Sequence, residues 1–382
     1  MDFSLSEEQA LIRDTLRQFV AAEVLPVAAE MDRTSRFPST AIERLSELGL
    51  LGMTIPEAYG GAGLDTLTST VAIEELARGS ASLAVTVSVN SSVCADPIAR
   101  YGTEEQRRRY LPILARGEFL GGFSLTEPDS GSDASHLRVR AIRDGDSYVL
   151  NGDKAWVTNV QVGRIFVVLA VTDPAQGTRG ITAFLVESDA PGFSFGKLED
   201  KTGLRSSLTG GIHLQDCRIP AANRLGEEGQ GFQIAMATLD GSRIGIGAQA
   251  LGIARACLEE SVAYARQRQA FGKPIGELQA IQFMLADMAT AIEGARLLVH
   301  RAAWLRDRGD VPYTREASMA KLFATEMVNR VAYQAVQIHG AYGYSREYPV
   351  ERYSRDARVT TIYEGTSEIQ RLVIARKLLE SL

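Results

Sequence analysis

A long apolar stripe at helical spacing in the last third of the chain most constrains the fold. Its members are three or four residues apart: Leu278, Ile281, Leu285, Met288 and Ile292. Residues spaced in this way share one face of a helix, and such a face is typical of the inner seam of a helix bundle. Two further long helices, near 231–266 and 314–340, together with a terminal helix, predict a bundle of four.

The sequence between about residues 119 and 228 has a different texture. Short β-rich runs such as RIFVVLAV (164–171) and ITAFLVE (181–187) are separated by turn signals, Asp144-Gly145 and Asn151-Gly152. Runs of this length with intervening turns predict a small domain of mostly antiparallel strands.

Residues 1–118 have helical signals. Ser6 with Gln9, and Thr103 with Gln106, fit the capping box, in which each side chain caps the other residue's backbone. The apolar run SLAVTVSVNSSVCADPIARYG predicts a buried helix, although its alternating valines also fit a strand. We therefore expect an α+β chain of three domains: an N-terminal helical domain (1–118), a middle antiparallel β domain (119–228) and a C-terminal four-helix bundle (229–382). A ligand site is expected where they meet.

Composition excludes several functional classes. The net charge of −6 comes without a basic cluster, so a nucleic-acid partner is not expected. No apolar run reaches the ~18–20 residues that span a bilayer, and the N-terminus does not resemble a signal peptide. Three dispersed cysteines and four dispersed histidines predict neither a disulfide framework nor a metal site. The cytoplasm is the expected location.

No segment fits a standard nucleotide-binding loop. RIGIGAQALG contains Gly245, Gly247 and Gly252, but its spacing is not GxGxxG and its context is helical. We expect these glycines to allow close helix packing or to leave room for a ligand.

Two segments of the β region can bind a flat, polar cofactor. FSLTEPDSGSD (123–133) carries small hydroxyls and exposed backbone N–H groups, although it also fits an ordinary turn. KAWVTN (154–159) places Trp156 and Thr158 on one strand face, where an indole can cover a ring while the hydroxyl bonds its edge. The alternative is a tryptophan in the core.

Two helical segments carry charged candidates. LDGSR (239–243) sets Asp240 and Arg243 three residues apart, which also fits a surface ion pair. In IYEGTSEIQR (362–371), Ser367 and Gln370 fit a capping box, so Glu364 lies on the segment entering a helix. Acidic residues are common there because of the helix dipole, which is the structural alternative to a catalytic role.

Taken together, the motifs resemble the acyl-CoA dehydrogenase family over essentially the whole chain. Eight occur in the family's order: PEAYGG, LTEPDSGSD, WVTN, LGEEGQGF, RQAFGKPI, QIHGAYGY, RDAR and IYEGTSEIQR. DGSRIGIGAQALGIA and SVNSSV are most similar to short-chain, butyryl-type members. The resemblance implies a homotetramer that binds FAD without a covalent bond, oxidises an acyl-CoA thioester to the trans-2-enoyl product, and passes electrons to an electron-transfer flavoprotein.

The resemblance also implies roles for individual residues. The flavin half of FAD would contact residues of the β domain and of the last loop: Phe123, Leu125, Thr126, Gly131, Ser132, Trp156, Val157, Thr158, Gly365, Thr366 and Ser367. The ADP half would contact Arg268, Phe271 and Gln279 from a neighbouring subunit, with Gln337, Gly340 and Ala341. The acyl-CoA would contact Ser132, Asp240, Ser242 and Arg243. The family usually has Gly-Gly where this chain has Gly340-Ala341. The added methyl group of Ala341 would crowd the ADP pyrophosphate if the backbone approaches it closely there.

Glu364 matches the family's catalytic base. A thioester α-proton is weakly acidic, so the carbonyl must be polarised as the enolate forms, and burial raises the pKa of a carboxylate toward that of a useful base. Some branches carry the base at the position of Ser242, and serine cannot act as that base at neutral pH. Two other functions remain open: an oxidase of the same fold, and a non-catalytic protein that binds acyl groups or acyl-carrier protein. Acyl length and branching also remain open.

Overall fold

The computed structural model describes residues 4–380, so the outer ends of the first and last expected domains lie outside the described part. The chain begins with seven α-helices: α1 (Glu7–Phe19), α2 (Leu25–Thr34), α3 (Ser39–Glu47), α4 (Thr66–Gly79), α5 (Ala81–Ser88), α6 (Asp96–Tyr101) and α7 (Glu104–Ala115). Both predicted capping boxes are confirmed, at the N-termini of α1 and α7.

The ambiguous apolar run is helical throughout. It forms α5, a π-helical turn (Val89–Ala95) and α6. Val85, Val87 and Val89 are all buried, because neighbouring elements surround this segment on every side. The alternation of these valines therefore does not separate a buried face from an exposed one. The prediction of a buried helix is confirmed, and the strand alternative is wrong.

The middle of the chain forms one eight-stranded sheet. Its strands are β1 (Leu120–Ser124), β2 (Arg140–Asp144), β3 (Ser147–Thr158), β4 (Gly163–Val171), β5 (Ile181–Glu187), β6 (Phe193–Leu198), β7 (Thr209–Pro220) and β8 (Arg224–Leu225). The spatial order is β6-β7-β3-β2-β4-β5-β8, and β1 pairs with β4. Most pairs are antiparallel, as predicted, but β1 runs parallel to β4 and β2 meets β4 in a parallel pair at Arg140 and Val171.

Long helices return after the sheet. They are α8 (Gly231–Gln267), α9 (Gln279–Arg308), α10 (Thr314–His339), α11 (Val350–Arg358) and α12 (Ser367–Glu380). A small hairpin, β9 (Gln269–Ala270) and β10 (Lys273–Pro274), separates α8 from α9. The predicted seam of α9 is confirmed: Met288 and Ile292 are buried, and the other three residues pack against the same core. The short helix α11 has no counterpart in the sequence prediction.

The glycines of α8 allow close packing, as expected. A Cβ atom on Gly252 would lie 2.2 Å from the carbonyl oxygen of Glu74 in α4, and one on Gly247 would lie 2.8 Å from Val299 Cγ2 in α9. Contacts this short leave room only for hydrogen. The N-terminal helices and the bundle therefore share one apolar core, with α8 at its centre.

Two kinds of feature are absent from the described residues. No helix within residues 4–380 is long and apolar enough to cross a membrane. The same part of the chain holds no group of three or more His, Cys, Asp or Glu residues arranged to bind a metal ion.

The close contact at Gly252 predicts that a methyl group there lowers stability, whereas a methyl group at a glycine with more space does not. Gly252→Ala is expected to lower the free energy of unfolding by about 2 kcal/mol, because the methyl group overpacks the contact with the α4 backbone. Urea denaturation measures the change. The matched control is Gly294→Ala in α9, whose methyl group would meet Phe323 at an ordinary 3.8 Å and which is expected to raise stability by up to about 1 kcal/mol. Equal effects of the two substitutions would contradict the packing argument.

Candidate active site

Glu364 lies in the loop that connects α11 to α12, with its backbone in the left-handed region (φ 52°). Non-glycine residues rarely adopt this conformation, and where they do the surroundings usually enforce it. The side chain accepts a short hydrogen bond from the Ser242 hydroxyl of α8. The loop is held from the other side by Lys321 of α10, whose Nζ donates to the carbonyl oxygen of Gly365 at 2.8 Å.

The predicted capping box at the start of α12 is wrong. Thr366 is the capping residue, since its Oγ1 accepts from the N–H of Ile369 at 3.3 Å, and Ser367 is already helical. Gln370 turns back instead and donates to the carbonyl oxygens of Glu364 (3.1 Å) and Gly365 (3.0 Å). Two adjacent hydroxyl residues allow a one-residue shift of the cap, and the tertiary contact of Gln370 decides between them.

The surroundings of Glu364 have opposite effects on the pKa of its carboxyl group. Burial raises the pKa of the Glu364 carboxyl group, while the Ser242 hydrogen bond and the positive charges of Lys321 and Arg243 act to lower it. The net result is a raised pKa, because desolvation of the charged form is the largest effect. The adjacent Tyr363 hydroxyl donates to Gln249 of α8, so two side chains of α8 fix this loop.

Asp240 and Arg243 form an ion pair (2.5 Å) that is not on the surface. Arg243 is 4% exposed, and Asp240 also accepts from the Thr314 hydroxyl at 2.6 Å. The surface alternative for this pair is therefore wrong. Arg243 Nε has no partner within residues 4–380 and remains free to meet a ligand atom.

The two candidate cofactor segments of the β domain are joined by a buried ion pair. Lys154 Nζ lies 2.9 Å from Glu127 Oε1 and donates to the carbonyl oxygen of Leu125 at 3.0 Å. The N–H of Ala155 donates to the carbonyl oxygen of Thr126 at 3.0 Å. Burial lowers the pKa of Lys154 to about 8 against the opposing field of Glu127, so the lysine stays mostly protonated at neutral pH. The 123–133 loop is thus locked against β3.

Trp156 is exposed, so the core alternative is wrong. Its side chain is 59% exposed, its φ is 58°, and the pairing of β3 with β7 shifts register between Lys154 and Val157. Such a bulge re-aims the side chains at a strand end. Val157 is buried in the sheet core, while Thr158 is half-buried.

The remaining predicted residues form a separate group at the surface. Arg268 stacks over the ring of Tyr342 (5.6 Å), which brings the end of α8 against the turn after α10. The side chain of Phe271 is 92% exposed. The other members of this group are also exposed: Gln279, Gln337, Gly340 and Ala341. Within one chain, no side-chain hydrogen bond among the described residues joins this group to the 123–133 loop, to β3 or to the loop before α12.

The residues present fit FAD. Ser367 Oγ is buried without a partner among residues 4–380, and the hydroxyls of Thr126 and Thr158 bond to no other group in that range. Gly131 and Ser132 are exposed on the loop beside them, with open space around Gly131. An exposed indole ring, three free hydroxyls and an open loop suit a planar, polar ring system.

Sequence reasoning missed three polar side chains that support the site: Lys154, Lys321 and Gln249. Lys321 carried a detectable signal, since it lies on the apolar face of α10 between Ala317, Ala320 and Ala324. A charge at such a position is costly to bury, so it marks a position held by a specific partner.

Comparison with known proteins agrees with the geometry. The chain matches three family descriptions: Acyl-CoA dehydrogenase, N-terminal domain (residues 6–118), middle domain (122–217) and C-terminal domain (229–379). It is 50% identical over 377 residues to the mitochondrial short-chain specific acyl-CoA dehydrogenase of Rattus norvegicus, covering 99% of this chain and 91% of the rat chain.

Two solved structures have nearly the same fold. Butyryl-CoA dehydrogenase from Megasphaera elsdenii superposes with a TM-score of 0.97 at 46% identity, covering 99% of this chain and 100% of that one. A chain in the structure described as the electron transferring flavoprotein of Acidaminococcus fermentans gives a TM-score of 0.98 at 47% identity, with the same coverage.

The fold and the site thus define a flavin-dependent oxidoreductase that uses FAD. The chain belongs to the acyl-CoA dehydrogenase family, in which it is similar to short-chain, butyryl-type members.

The Lys154–Glu127 pair predicts a strong dependence of the cofactor loops on one buried charge. Lys154→Met is expected to lower the free energy of unfolding by about 3 kcal/mol, because it removes the cation that pairs with the buried Glu127 side chain. Thermal unfolding with and without added FAD measures both stability and cofactor retention. The control is Arg138→Ala, which removes the exposed pair with Asp129 (2.5 Å) and is expected to cost less than about 1 kcal/mol. Losses of equal size would contradict this assignment.

Proposed function

We propose that this enzyme oxidises short-chain acyl-CoA thioesters to trans-2-enoyl-CoA, with Glu364 as the base that removes the α-proton. The observation that carries the proposal is the placement of Glu364: a carboxylate held in a left-handed loop and bonded to Ser242, with a raised pKa. Thr366 and Gln370 hold the start of α12, so the Glu364 carboxylate is not needed to cap that helix.

The raised pKa suits the reaction. A general base works best when its pKa lies near the operating pH, and an ordinary glutamate is too weak to remove an α-proton. Glu364 must be ionised to accept the proton at a carboxylate oxygen. The Ser242 hydroxyl donates to that carboxylate in the resting state, which orients it until substrate is bound.

The substrate carbonyl needs a donor as negative charge develops on its oxygen. The N–H of Glu364 donates to no acceptor within residues 4–380, so we assign it to this oxygen. Bound FAD supplies the acceptor for the β-hydrogen, which leaves as hydride. Ser132, Asp240 and Arg243 are assigned to the CoA portion, and the unpartnered Arg243 Nε supports that role.

The exposed group around Phe271 supports the expected homotetramer. Phe271 is 92% exposed and lies three residues from Arg268, which stacks over the exposed ring of Tyr342, and neighbouring exposed aromatic rings are typical of an interaction surface. We propose that Arg268, Phe271 and Gln279 reach the ADP half of FAD in a neighbouring subunit, next to that subunit's Gln337, Gly340 and Ala341. The similarity to a chain of the A. fermentans structure supports an electron-transfer flavoprotein as acceptor.

The similarity to short-chain members supports a short acyl group. The rat and M. elsdenii relatives carry short-chain names, which agrees with this reading. A panel of straight and branched acyl-CoA substrates, read by dye reduction, identifies the preferred length.

Glu364→Gln tests the assignment of the base. The variant is expected to keep FAD and to bind acyl-CoA, because glutamine preserves shape and hydrogen bonding, yet to lose about 10²–10⁴-fold in rate. Reduction of the flavin by butyryl-CoA without oxygen, followed by its absorbance, measures the step directly. Glu368→Gln, which changes an exposed glutamate of the same segment, is the control and is expected to retain the wild-type rate. Near-normal reduction by Glu364→Gln would place the base elsewhere.

The fate of the electrons separates a dehydrogenase from an oxidase. With butyryl-CoA and air alone, we expect little hydrogen peroxide, and rapid turnover once an electron-transfer flavoprotein is added. Peroxide formed at the rate of substrate loss would instead assign an oxidase. A protein that purifies without flavin and reduces no dye with any acyl-CoA would support the non-catalytic alternative.

A further inference from the structure

We propose that Lys321 is a positioning residue for the catalytic loop, and that its positive charge holds the Glu364 carboxylate in the ionised form that accepts the proton. The inference rests on the proposed role of Glu364 as base. It assigns a function to a buried lysine that lies outside the sequence motifs of the site.

The contact of Lys321 is with the backbone next to the base. Its Nζ donates to the carbonyl oxygen of Gly365 at 2.8 Å, and Lys321 is fully buried. Gly365 has a φ of 90° and follows Glu364, whose φ is 52°. Glycine adopts positive φ freely, but a glutamate in the left-handed region needs external support, and this hydrogen bond supplies it at the peptide that follows the base.

The charge of Lys321 is not neutralised by an ion pair within residues 4–380. Among the carboxylates whose field acts on it, Glu364 has the largest effect, ahead of Glu326 and Glu368. Both of these lie within 4.0 Å of the guanidinium of Arg371, which partly neutralises them. Glu364 has no such arginine partner, so the field of Lys321 acts chiefly on the base.

The other charged group facing Glu364 is Arg243 of α8. Its guanidinium is paired with Asp240 at 2.5 Å, so much of its field is cancelled near its source. The remaining neighbours, Ser242 and Tyr363, are hydroxyl groups. Lys321 is therefore the main unpaired cation close to the base among the described residues, and its charge opposes the effect of burial.

Gln370 provides a matched control, because it supports the same loop by hydrogen bonds but carries no charge. Its Nε2 donates to the carbonyl oxygens of Glu364 and Gly365, the second of which also accepts from Lys321. Gln370→Met removes neutral support from this loop, while Lys321→Met removes support and charge together. Lys321→Arg keeps the charge. Comparison of the three separates an electrostatic role from a merely structural one.

The experiment is the pH profile of kcat/KM for butyryl-CoA, which reports ionisation of groups in the free enzyme. The rate falls as pH falls through the pKa of the base, because only the ionised carboxylate accepts a proton. Loss of a nearby cation raises that pKa, so the acid limb of Lys321→Met is expected to move upward by about one pH unit. Lys321→Arg and Gln370→Met are expected to keep the wild-type limb, even where the plateau rate drops.

An unmoved limb in Lys321→Met, or an equal movement in Gln370→Met, would overturn the proposal. If the methionine variant does not fold with FAD, Lys321→Gln tests the same point, since it keeps an N–H donor without charge. The infrared absorption of the Glu364 carboxylate, taken as wild type minus Glu364→Gln and titrated with pH, gives the comparison without turnover. Full activity of Glu364→Gln would refute the proposed function itself; an inactive Glu364→Gln with an unmoved Lys321→Met limb would refute only the role of Lys321.

Discussion

The structure depends on the packing of α8 against every other layer. This 37-residue helix passes between the N-terminal helices, the bundle and β5 of the sheet. Its glycines let the backbone of α4 and the side chain of Val299 approach to distances that no larger residue allows. Because α8 is fixed on several sides, the side chains along it serve as rigid reference points for the site.

The catalytic loop is built on that reference. Ser242 and Gln249, seven residues apart and therefore on one face of α8, bond Glu364 and Tyr363. Lys321 and Gln370 hold the backbone from α10 and α12. A loop that is supported from three helices can keep one residue in a left-handed backbone conformation that it would not adopt alone. Orientation of the Glu364 carboxylate, the proposed base, is thus a property of the assembled bundle.

In the β domain, too, a loop is held by a buried polar contact with a neighbouring element. A buried Lys154–Glu127 pair fixes the 123–133 loop against β3, and the bulge in β3 turns Trp156 outward. Buried charges add little net stability when paired, but they are costly when broken, so such a pair defines one loop arrangement more than it strengthens the fold. The exposed indole and free hydroxyls beside it are the surface that suits a flavin.

The sequence by itself determined the helix–sheet–helix order, both N-terminal capping boxes, the seam of α9 and the family. These depend on local periodicity and on motif order, which a linear chain displays. It also singled out Glu364 as the candidate base. Only the tertiary structure decided that Thr366 and not Ser367 caps α12, that Asp240 and Arg243 are a buried pair, and that Trp156 faces outward. It alone revealed Lys321 and Lys154, because a lysine's role depends on which distant carbonyl or carboxylate it meets, and local pattern carries no record of that partner.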